Sequence, residues 1–183
     1  PNDKQVTPAG FTANNYIYAD DLLEYKIRFQ NTGNDTAFDV NIADTIDIRH
    51  LDITSFSPGV SSHPYSVNLW DSNLVIFKFK NINLLPASVD SVESQGFVKF
   101  KIKQKVGNAP GTDIDNKALI YFDYNPPIIT NIANVEIYED TLTIEGVNEV
   151  GRTTVKLYPN PFTSTVNLSV EKKYKQVRFE LFD

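Results

Sequence analysis

The sequence predicts an all-β protein built around a β-sandwich. Short segments in which apolar and polar residues alternate recur along the first 138 residues, and no helical period of apolar residues is apparent. Turn-forming Gly, Pro, Asn and Asp residues separate these segments at regular spacing. The chain is rich in strand-favouring aromatic side chains, with 12 Phe and 9 Tyr among its 183 residues. About eight or nine short strands of this kind are typical of a β-sandwich.

In the first half of the chain, the clearest strand signal is the segment 23–29, where apolar residues alternate with charged ones. This period of two predicts a strand with one buried face and one wet face. Residues 1–21 are predicted to be mostly irregular, apart from a short edge strand at 16–18. A turn at 31–35 leads into a second alternating strand. The residues that mark this second strand are Phe38, Val40 and Ile42.

In the second half, the near-continuous apolar run at 74–79 predicts a central strand. The segment 97–103 is predicted to point Val98, Phe100 and Ile102 inward and its three lysines outward. A loop at 81–86 is predicted to plug the core with Ile82 and with Leu84 or Leu85. Further strands are predicted at 51–56, 65–69, 114–122 and 132–137.

Composition excludes several classes of protein. The net charge of −6 and the pI near 4.9 argue against a nucleic-acid partner, which calls for a basic face. With no cysteine, the chain has no disulfide framework, thiol nucleophile or zinc–thiolate site. No apolar run approaches the roughly 20 residues of a membrane helix, so no membrane insertion is predicted. The start at Pro1-Asn-Asp-Lys4 reads like the middle of a longer protein.

The residues that carry chemistry form no catalytic pattern, so the chain is predicted to be no enzyme and to need no cofactor. His50 and His63 lack the paired spacing of a metal site, and no Gly-x-Ser-x-Gly elbow is present. A calcium site would require acidic loop residues to converge at one end of the sandwich. Solvated, turn-capping aspartates are the favoured interpretation. The four residues for that calcium alternative are Asp20, Asp21, Asp44 and Asp47.

Aromatic residues near turns leave a second function open. Four aromatic side chains would form a platform for sugar rings if they were exposed on one sheet. They are those of Trp70, Tyr65, Tyr121 and Tyr124. Packing in the core or at its rim is the competing interpretation. The alternative function is therefore a carbohydrate-binding or adhesive β-sandwich module.

Lys26 and Asn116 lie on two of the strongest predicted strands. This placement raises the hypothesis of an intramolecular Lys–Asn isopeptide bond, as some surface sandwiches carry. By alternation Lys26 faces away from Tyr25 and Ile27, which opposes a bond from that lysine.

The window from Asp20 to Asn131 resembles conserved extracellular repeat domains of unknown function in bacterial surface proteins. In the Bacteroidota version the start of the chain, Asn2-Asp-Lys4, also matches. The resemblance implies an immunoglobulin-like fold and a modular surface setting, and it implies no chemistry. The matching residues are Tyr25, Ile27, Phe29, Asn31, Thr32, Gly33, Asp44 and Thr45, followed by Asn116, Ala118, Ile120, Phe122, Asp123 and Asn125.

Near the C-terminus, two predicted strands flank a rigid corner made by two prolines around an asparagine. This segment resembles the opening of the type A C-terminal sorting domain of the Bacteroidota type IX secretion system. The resemblance implies recognition by the outer-membrane translocon and its shuttle protein, followed by removal by a surface sortase that can join the cargo to lipopolysaccharide. The matching residues, predicted to form the recognition signal, are Leu157, Tyr158, Pro159, Asn160, Pro161 and Phe162.

These patterns together predict three parts. Residues 1–138 are predicted to form an immunoglobulin-like β-sandwich, residues 139–152 an acidic linker, and residues 153–183 a smaller, incomplete β-sandwich sorting module. The later strands and the basic C-terminal motif of the sorting family have no counterpart in this sequence. The predicted function is a stalk or spacer plus a secretion-sorting signal, in a protein that is secreted or held at the cell surface.

Overall fold

The computed structural model describes residues 1–138 and, as backbone, two strands at 155–158 and 167–170. The chain divides into two compact units, Pro1–Tyr138 and Glu139–Asp183. Every regular element in the described residues is a strand, so the predicted all-β class is confirmed. No helix in this described part is long and apolar enough to cross a membrane.

The first unit contains twelve strands, most of them short segments with the alternation seen in the sequence. They are β1 (Asp3–Thr7), β2 (Tyr16–Ile17), β3 (Leu22–Gln30), β4 (Val40–Thr45), β5 (Leu51–Ser61), β6 (Ser66–Trp70), β7 (Leu74–Phe79), β8 (Gln95–Gln104), β9 (Asp113–Asn116), β10 (Ala118–Phe122), β11 (Ile128–Ile129) and β12 (Ala133–Ile137).

These strands form two main sheets and one small sheet. The first main sheet has the order β1-β3-β8-β5, and the second has the order β11-β10-β4-β7-β6. The small sheet has the order β2-β12-β9, in which β2 and β12 are parallel; the other paired strands are antiparallel. β1 is therefore an edge strand, and β3 is its only partner within the sheet.

Aromatic rings from the two main sheets meet in the core. The ring of Phe29 lies 5.0 Å from that of Phe79, and Phe77 lies 5.8 Å from Phe100, measured between ring centroids. The inward side chains predicted for β8 are buried, and so is Leu84 in the loop that closes one end. Burial of alternating residues from both sheets is the packing expected of a sandwich.

One strand passes from the small sheet to the second main sheet. β9 pairs with β12, and β10 pairs with β4 and β11, with only Lys117 between the two strands. Asn116 thus lies at the transition. Its side chain is buried, in line with Ile114 and Ala118 on the inward face.

Three predictions about the first unit are wrong in detail. β1 occupies part of the segment predicted to be irregular, because its buried position holds the charged Lys4 and no apolar alternation reveals the strand. Phe38 lies before β4 and is 59% exposed, so the buried face of that strand begins at Val40. β5 runs to Ser61, beyond the predicted end at 56. Register shifts interrupt its pairing with β8, so its residues do not alternate regularly between apolar and polar and the sequence does not mark where the strand ends.

In the second unit, β13 (Val155–Tyr158) pairs antiparallel with β14 (Asn167–Val170), and Leu157 stands opposite Leu168. The predicted corner at Pro159, Asn160, Pro161 and Phe162 lies outside the described residues. The predicted acidic linker at 139–152 and the predicted strand at 177–182 also lie outside them.

Candidate functional site

A lysine side chain lies in the core of the first unit. Lys4 is on the inward face of β1, and its side chain is fully buried. Its Nζ lies 4.7 Å from the centroid of the Tyr25 ring and 5.2 Å from that of Phe100. The same Nζ contacts Oδ2 of Asp44, a fully buried residue of β4. The first strand of one sheet is thereby joined to a central strand of the other.

The backbone of Lys4 is held in place by Asn131. The Lys4 amide donates a hydrogen bond to Asn131 Oδ1, and Asn131 Nδ2 donates one to the Lys4 carbonyl oxygen, both at 2.9 Å. The asparagine side chain thus satisfies backbone groups on the open side of an edge strand. This pair of bonds fixes the point from which the lysine side chain enters the core.

Asn116 completes a buried polar cluster, which we define as Lys4, Tyr25, Asp44 and Asn116. The amide of Asn116 is in polar contact with Asp44 and with the Tyr25 hydroxyl. Neither of its atoms makes a hydrogen bond of good geometry within the described residues. Because hydrogen bonds weaken steeply with poor angles, we treat the amide as unsatisfied.

The cluster concentrates the unsatisfied polar atoms of the first unit. Five buried side-chain polar atoms lack a hydrogen bond among the described residues, and four of them are Tyr25 Oη, Asp44 Oδ1, Asn116 Nδ2 and Asn116 Oδ1. Native proteins rarely leave such atoms unpaired, because each one costs free energy when it is removed from water. Four in one place therefore mark a site that packing alone does not explain.

Burial shifts the two ionisable partners towards their neutral forms. Burial lowers the pKa of Lys4, against the opposing effect of the nearby Asp44 carboxylate. Burial likewise raises the pKa of Asp44, against the opposing effects of Lys4 and of Asn116. Transfer of one proton from the Lys4 ammonium to the Asp44 carboxylate gives a neutral amine beside a carboxylic acid. A dry, apolar site favours this pair of neutral groups.

The chemistry available to this cluster follows from these forms. A neutral amine has a lone pair and is a nucleophile, a carboxylic acid can donate and accept a proton, and a primary amide has an electrophilic carbon. The three groups meet where the described side chains of two sheets exclude water. Tyr25 is the third ionisable member of the cluster, and burial raises the pKa of its hydroxyl.

Of the two residues in the isopeptide hypothesis, Asn116 is buried in this cluster, and Lys26 is not part of it. Lys26 points away from the core, as alternation predicted, and its Nζ lies 4.8 Å from the centroid of the Phe97 ring. The lysine that faces the core is Lys4. The available signal was the match of Asn2-Asp-Lys4 to the surface repeat family, together with the spacing of two between Lys4 and Val6.

The aspartates of the calcium alternative lie in different environments. Asp44 is in the core beside Lys4, and Asp47 binds the Arg49 guanidinium at 2.7 Å. Asp21 accepts a hydrogen bond from the Tyr18 amide, in the turn that also holds Asp20. No group of three or more acidic or histidine side chains in the described part of the chain is placed to hold a metal ion.

The four aromatic residues of the sugar-platform alternative do not form one row. Trp70 at the end of β6 is 54% exposed, and Tyr124 is fully exposed in the turn after β10. Tyr65 packs inward, with its ring centroid 5.8 Å from that of Phe77. Tyr121 on β10 is separated from β6 by two strands, a distance of about 14 Å at ordinary strand spacing.

Of the predicted sorting signal, the structure describes only the backbone of Leu157 and Tyr158, at the end of β13. Their strand pairs with β14, so the connection at 159–166 joins two antiparallel strands.

The first unit is a β-sandwich domain, since it has two packed main sheets and a strand that passes between sheets. The chain belongs to the family described as "Domain of unknown function (DUF7619)", whose sequence model matches residues 1–136. A comparison with curated proteins gives no match.

Solved structures with a similar fold include bacterial pilins and an adhesin domain. A variant of BcpA, the major pilin subunit of Bacillus cereus, is 15% identical, with a TM-score of 0.55, and the match covers 94% of this chain and 53% of that one. The major pilin SpaA of Corynebacterium diphtheriae is 11% identical, with a TM-score of 0.46, over 72% of this chain and 37% of that one. A collagen-binding domain from a Staphylococcus aureus adhesin is 10% identical, with a TM-score of 0.43, over 75% of this chain and 97% of that one.

The likeness to BcpA confirms the predicted immunoglobulin-like β-sandwich fold. The chain spans between 37% and 53% of the length of these two pilins.

Proposed function

We propose that the chain is a non-catalytic part of an exported bacterial protein, in which residues 1–138 act as a stalk or spacer module. Membership of the DUF7619 family and a fold like that of a pilin subunit support this role. Of two surface depressions in the described residues, one is lined by no carboxylate, and the other by Asp115 and by Asp47, which is paired with Arg49. The proposed location is the cell surface or the medium.

We further propose that residues 153–183 are the beginning of a type A sorting domain, joined to the spacer by an acidic linker at 139–152. The observation that carries this proposal is the antiparallel pairing of β13, which ends at Tyr158, with β14, which follows the Pro-Asn-Pro sequence. The proposed partners are the type IX translocon, its outer-membrane shuttle protein and the surface sortase. The proposed recognition residues are Leu157, Tyr158, Pro159, Asn160, Pro161 and Phe162.

Recognition of this segment would use its rigidity. Proline fixes the backbone at two positions of the corner, so less conformational entropy is lost when a partner binds it. Tyr158 and Phe162 are aromatic side chains of the kind that anchor interfaces, and they stand on either side of the corner. The paired strands would add to the edge of a partner sheet, a mode of recognition in which backbone hydrogen bonds supply affinity.

The test is export of a fluorescent reporter in a cell that has type IX secretion. The reporter is fused to residues 153–183 followed by the remaining strands and basic motif of the sorting family, with a signal peptide in front. We expect surface delivery of this completed fusion and its loss when the added strands are omitted. Tyr158→Ala with Pro159→Ala should reduce export, whereas the matched pair Lys172→Ala and Lys173→Ala should not. Periplasmic retention of the completed fusion would contradict the assignment.

The second candidate function is a carbohydrate-binding or adhesive module, and the exposed indole of Trp70 favours it. Trp70 is the only tryptophan in the chain, so its fluorescence would report directly on a sugar that stacks against it. We expect no change of emission on titration with soluble polysaccharides, because the four aromatic residues do not form a platform. A saturable change that Trp70→Phe weakens and Val106→Ala leaves intact would favour the adhesive function.

A further inference from the structure

Lys4, Asp44 and Asn116 come from three separate strands, β1, β4 and β9, and meet in a region closed to solvent. As three separate side chains they make a poor core, because the Asn116 amide and one Asp44 oxygen have no hydrogen-bond partner in the described part of the chain. An arrangement that leaves so many polar atoms unsatisfied costs free energy. Its presence in a folded protein calls for an explanation, and a chemical role of the site is one. The identity of the groups indicates which role.

We propose that Lys4 and Asn116 react to form an intramolecular isopeptide bond, with Asp44 as the residue that moves the protons. This modification is independent of the proposed sorting function, since it concerns only residues of the first unit. It requires no cofactor, oxidant or partner protein, and folding alone brings the reactants together.

The reaction balances within the cluster. The neutral Nζ of Lys4 attacks Cγ of Asn116, while the protonated Asp44 carboxyl stabilises the charge that develops on Oδ1. Asp44 then takes a proton from Nζ and gives one to Nδ2, so it ends protonated, as it began. The Cγ–Nδ2 bond breaks and ammonia leaves. The product is a secondary amide between Nζ of Lys4 and Cγ of Asn116.

Two features of the site favour this reaction. The rings of Tyr25 and Phe100 pack around Nζ and keep water from it. The two hydrogen bonds with Asn131 hold the Lys4 backbone, so the amine approaches from a fixed point. Fixed approach of a nucleophile to its electrophile replaces an encounter in solution and supplies much of the rate enhancement.

A bond from Lys4 to Asp44 is the competing product. Asp44 is in contact with Nζ, but it is the cluster's only carboxyl group. If its carbon were the electrophile, no other carboxyl would remain in the cluster to move the protons. The Asn116 amide would also remain unsatisfied. The assignment to Asn116 instead gives both the unpaired amide and the unpaired Asp44 oxygen a part in the reaction.

The bond would change how the module responds to load. β1 is an edge strand held to β3, and hydrogen bonds along an edge can open one after another. A covalent link from Lys4 to Asn116 would close a chain segment that contains most of the first unit and tie β1 to the strand that passes between sheets. Closing a long loop restricts the unfolded chain, as a disulfide does.

The experiment is intact-mass measurement of the purified full chain, with no variant needed for the decisive result. We expect a mass about 17 Da below that of the sequence, the mass of one ammonia. After trypsin digestion, the peptides 1–26 and 106–117 should appear as one linked species, because a modified Lys4 is not cleaved. An unmodified mass in protein that is folded by circular dichroism would overturn the proposal.

Two other outcomes would also overturn the assignment. A loss of about 18 Da that persists in Asn116→Ala would indicate a bond from Lys4 to Asp44, with loss of water. A loss of about 17 Da without linked peptides would indicate a succinimide at an asparagine and no cross-link.

Variants then assign the roles of the three side chains. Lys4→Arg, Asp44→Ala and Asn116→Ala should each retain the full sequence mass, adjusted for the substitution. The matched control Lys26→Arg, on the outward face of β3, should keep the cross-link. Where a variant folds, its melting temperature should fall by on the order of 10 °C relative to the cross-linked protein.

Discussion

Gly96 of β8 stands directly opposite Phe29 of β3, and the aromatic ring fills the space above the glycine. A Cβ placed on Gly96 would lie 2.3 Å from two carbons of that ring. Both residues are buried, and Phe29 also packs against Phe79 of the opposite sheet at 5.0 Å. The absence of a side chain at position 96 is thus a condition for the packing between the two sheets.

Gly96→Ala should therefore destabilise the first unit by about 1–3 kcal/mol, because the ring of Phe29 must move within a packed core. Phe29→Leu removes the clash, so the double variant should be more stable than the sum of the two single effects predicts. Chemical denaturation measures all three variants. Additive effects would show that Phe29 and Gly96 do not compete for the same space.

Ile27→Ala or Phe100→Ala should each lower the free energy of unfolding by roughly 2–5 kcal/mol, from lost burial and the cavity left behind. Both side chains are fully buried, whereas Lys103 on the same strand as Phe100 is exposed. Lys103→Ala is the matched control and should change stability by less than about 0.5 kcal/mol. Core substitutions with effects as small as the control would mean that the inward faces are misassigned.

Asn131→Ala should cost about 1–3 kcal/mol, because it leaves the amide and the carbonyl of Lys4 without their partner. Amide hydrogen exchange at Lys4 should accelerate as well, since its protecting acceptor is gone. Asn34→Ala, in an exposed turn, is the control and should alter neither quantity. Unchanged exchange at Lys4 would show that the edge strand does not depend on Asn131.

Acid should weaken the pairing of Asp3 with Arg28. The hydrogen bond from Arg28 holds the pKa of Asp3 below its ordinary value of 3.8. A lowered pKa in the folded state stabilises the protein above the unfolded value, and this contribution is lost as pH falls below about 4. Asp3→Asn should therefore reduce stability at neutral pH and have less effect at low pH. In an Arg28→Gln background, the same substitution should show no such pH dependence.

Calcium should leave the melting temperature unchanged, because Asp44 is engaged with Lys4 and Asp47 with Arg49. A ligand that binds only the folded state raises its stability, so a site would be visible as a shift between millimolar Ca²⁺ and chelator. Differential scanning calorimetry of the full chain provides the measurement. A rise of several degrees with Ca²⁺ would establish the acidic loops as a binding site.

Alternation in the sequence predicted much of the fold. The inward faces of β3 and β8 follow from apolar residues at every second position, since only a strand places such residues on one face. Where alternation was weak, the predictions failed. Phe38 shares the parity of Val40 and Ile42 in the sequence, yet it lies before β4 and is 59% exposed.

By itself the sequence determined that the chain is all-β and which residues face inward on its clear strands. Only the tertiary structure decided that Lys4 faces the core and contacts Asp44, which in turn lies beside Asn116. A periodic pattern in the sequence identifies buried positions by their apolar side chains. A charged residue such as Lys4 is therefore expected to be solvent-exposed. Lys4 and Asp44 lie 40 residues apart, in different sheets, so their contact depends on how the sheets pack. Long-range packing of this kind brings reactive groups together where no local pattern marks them.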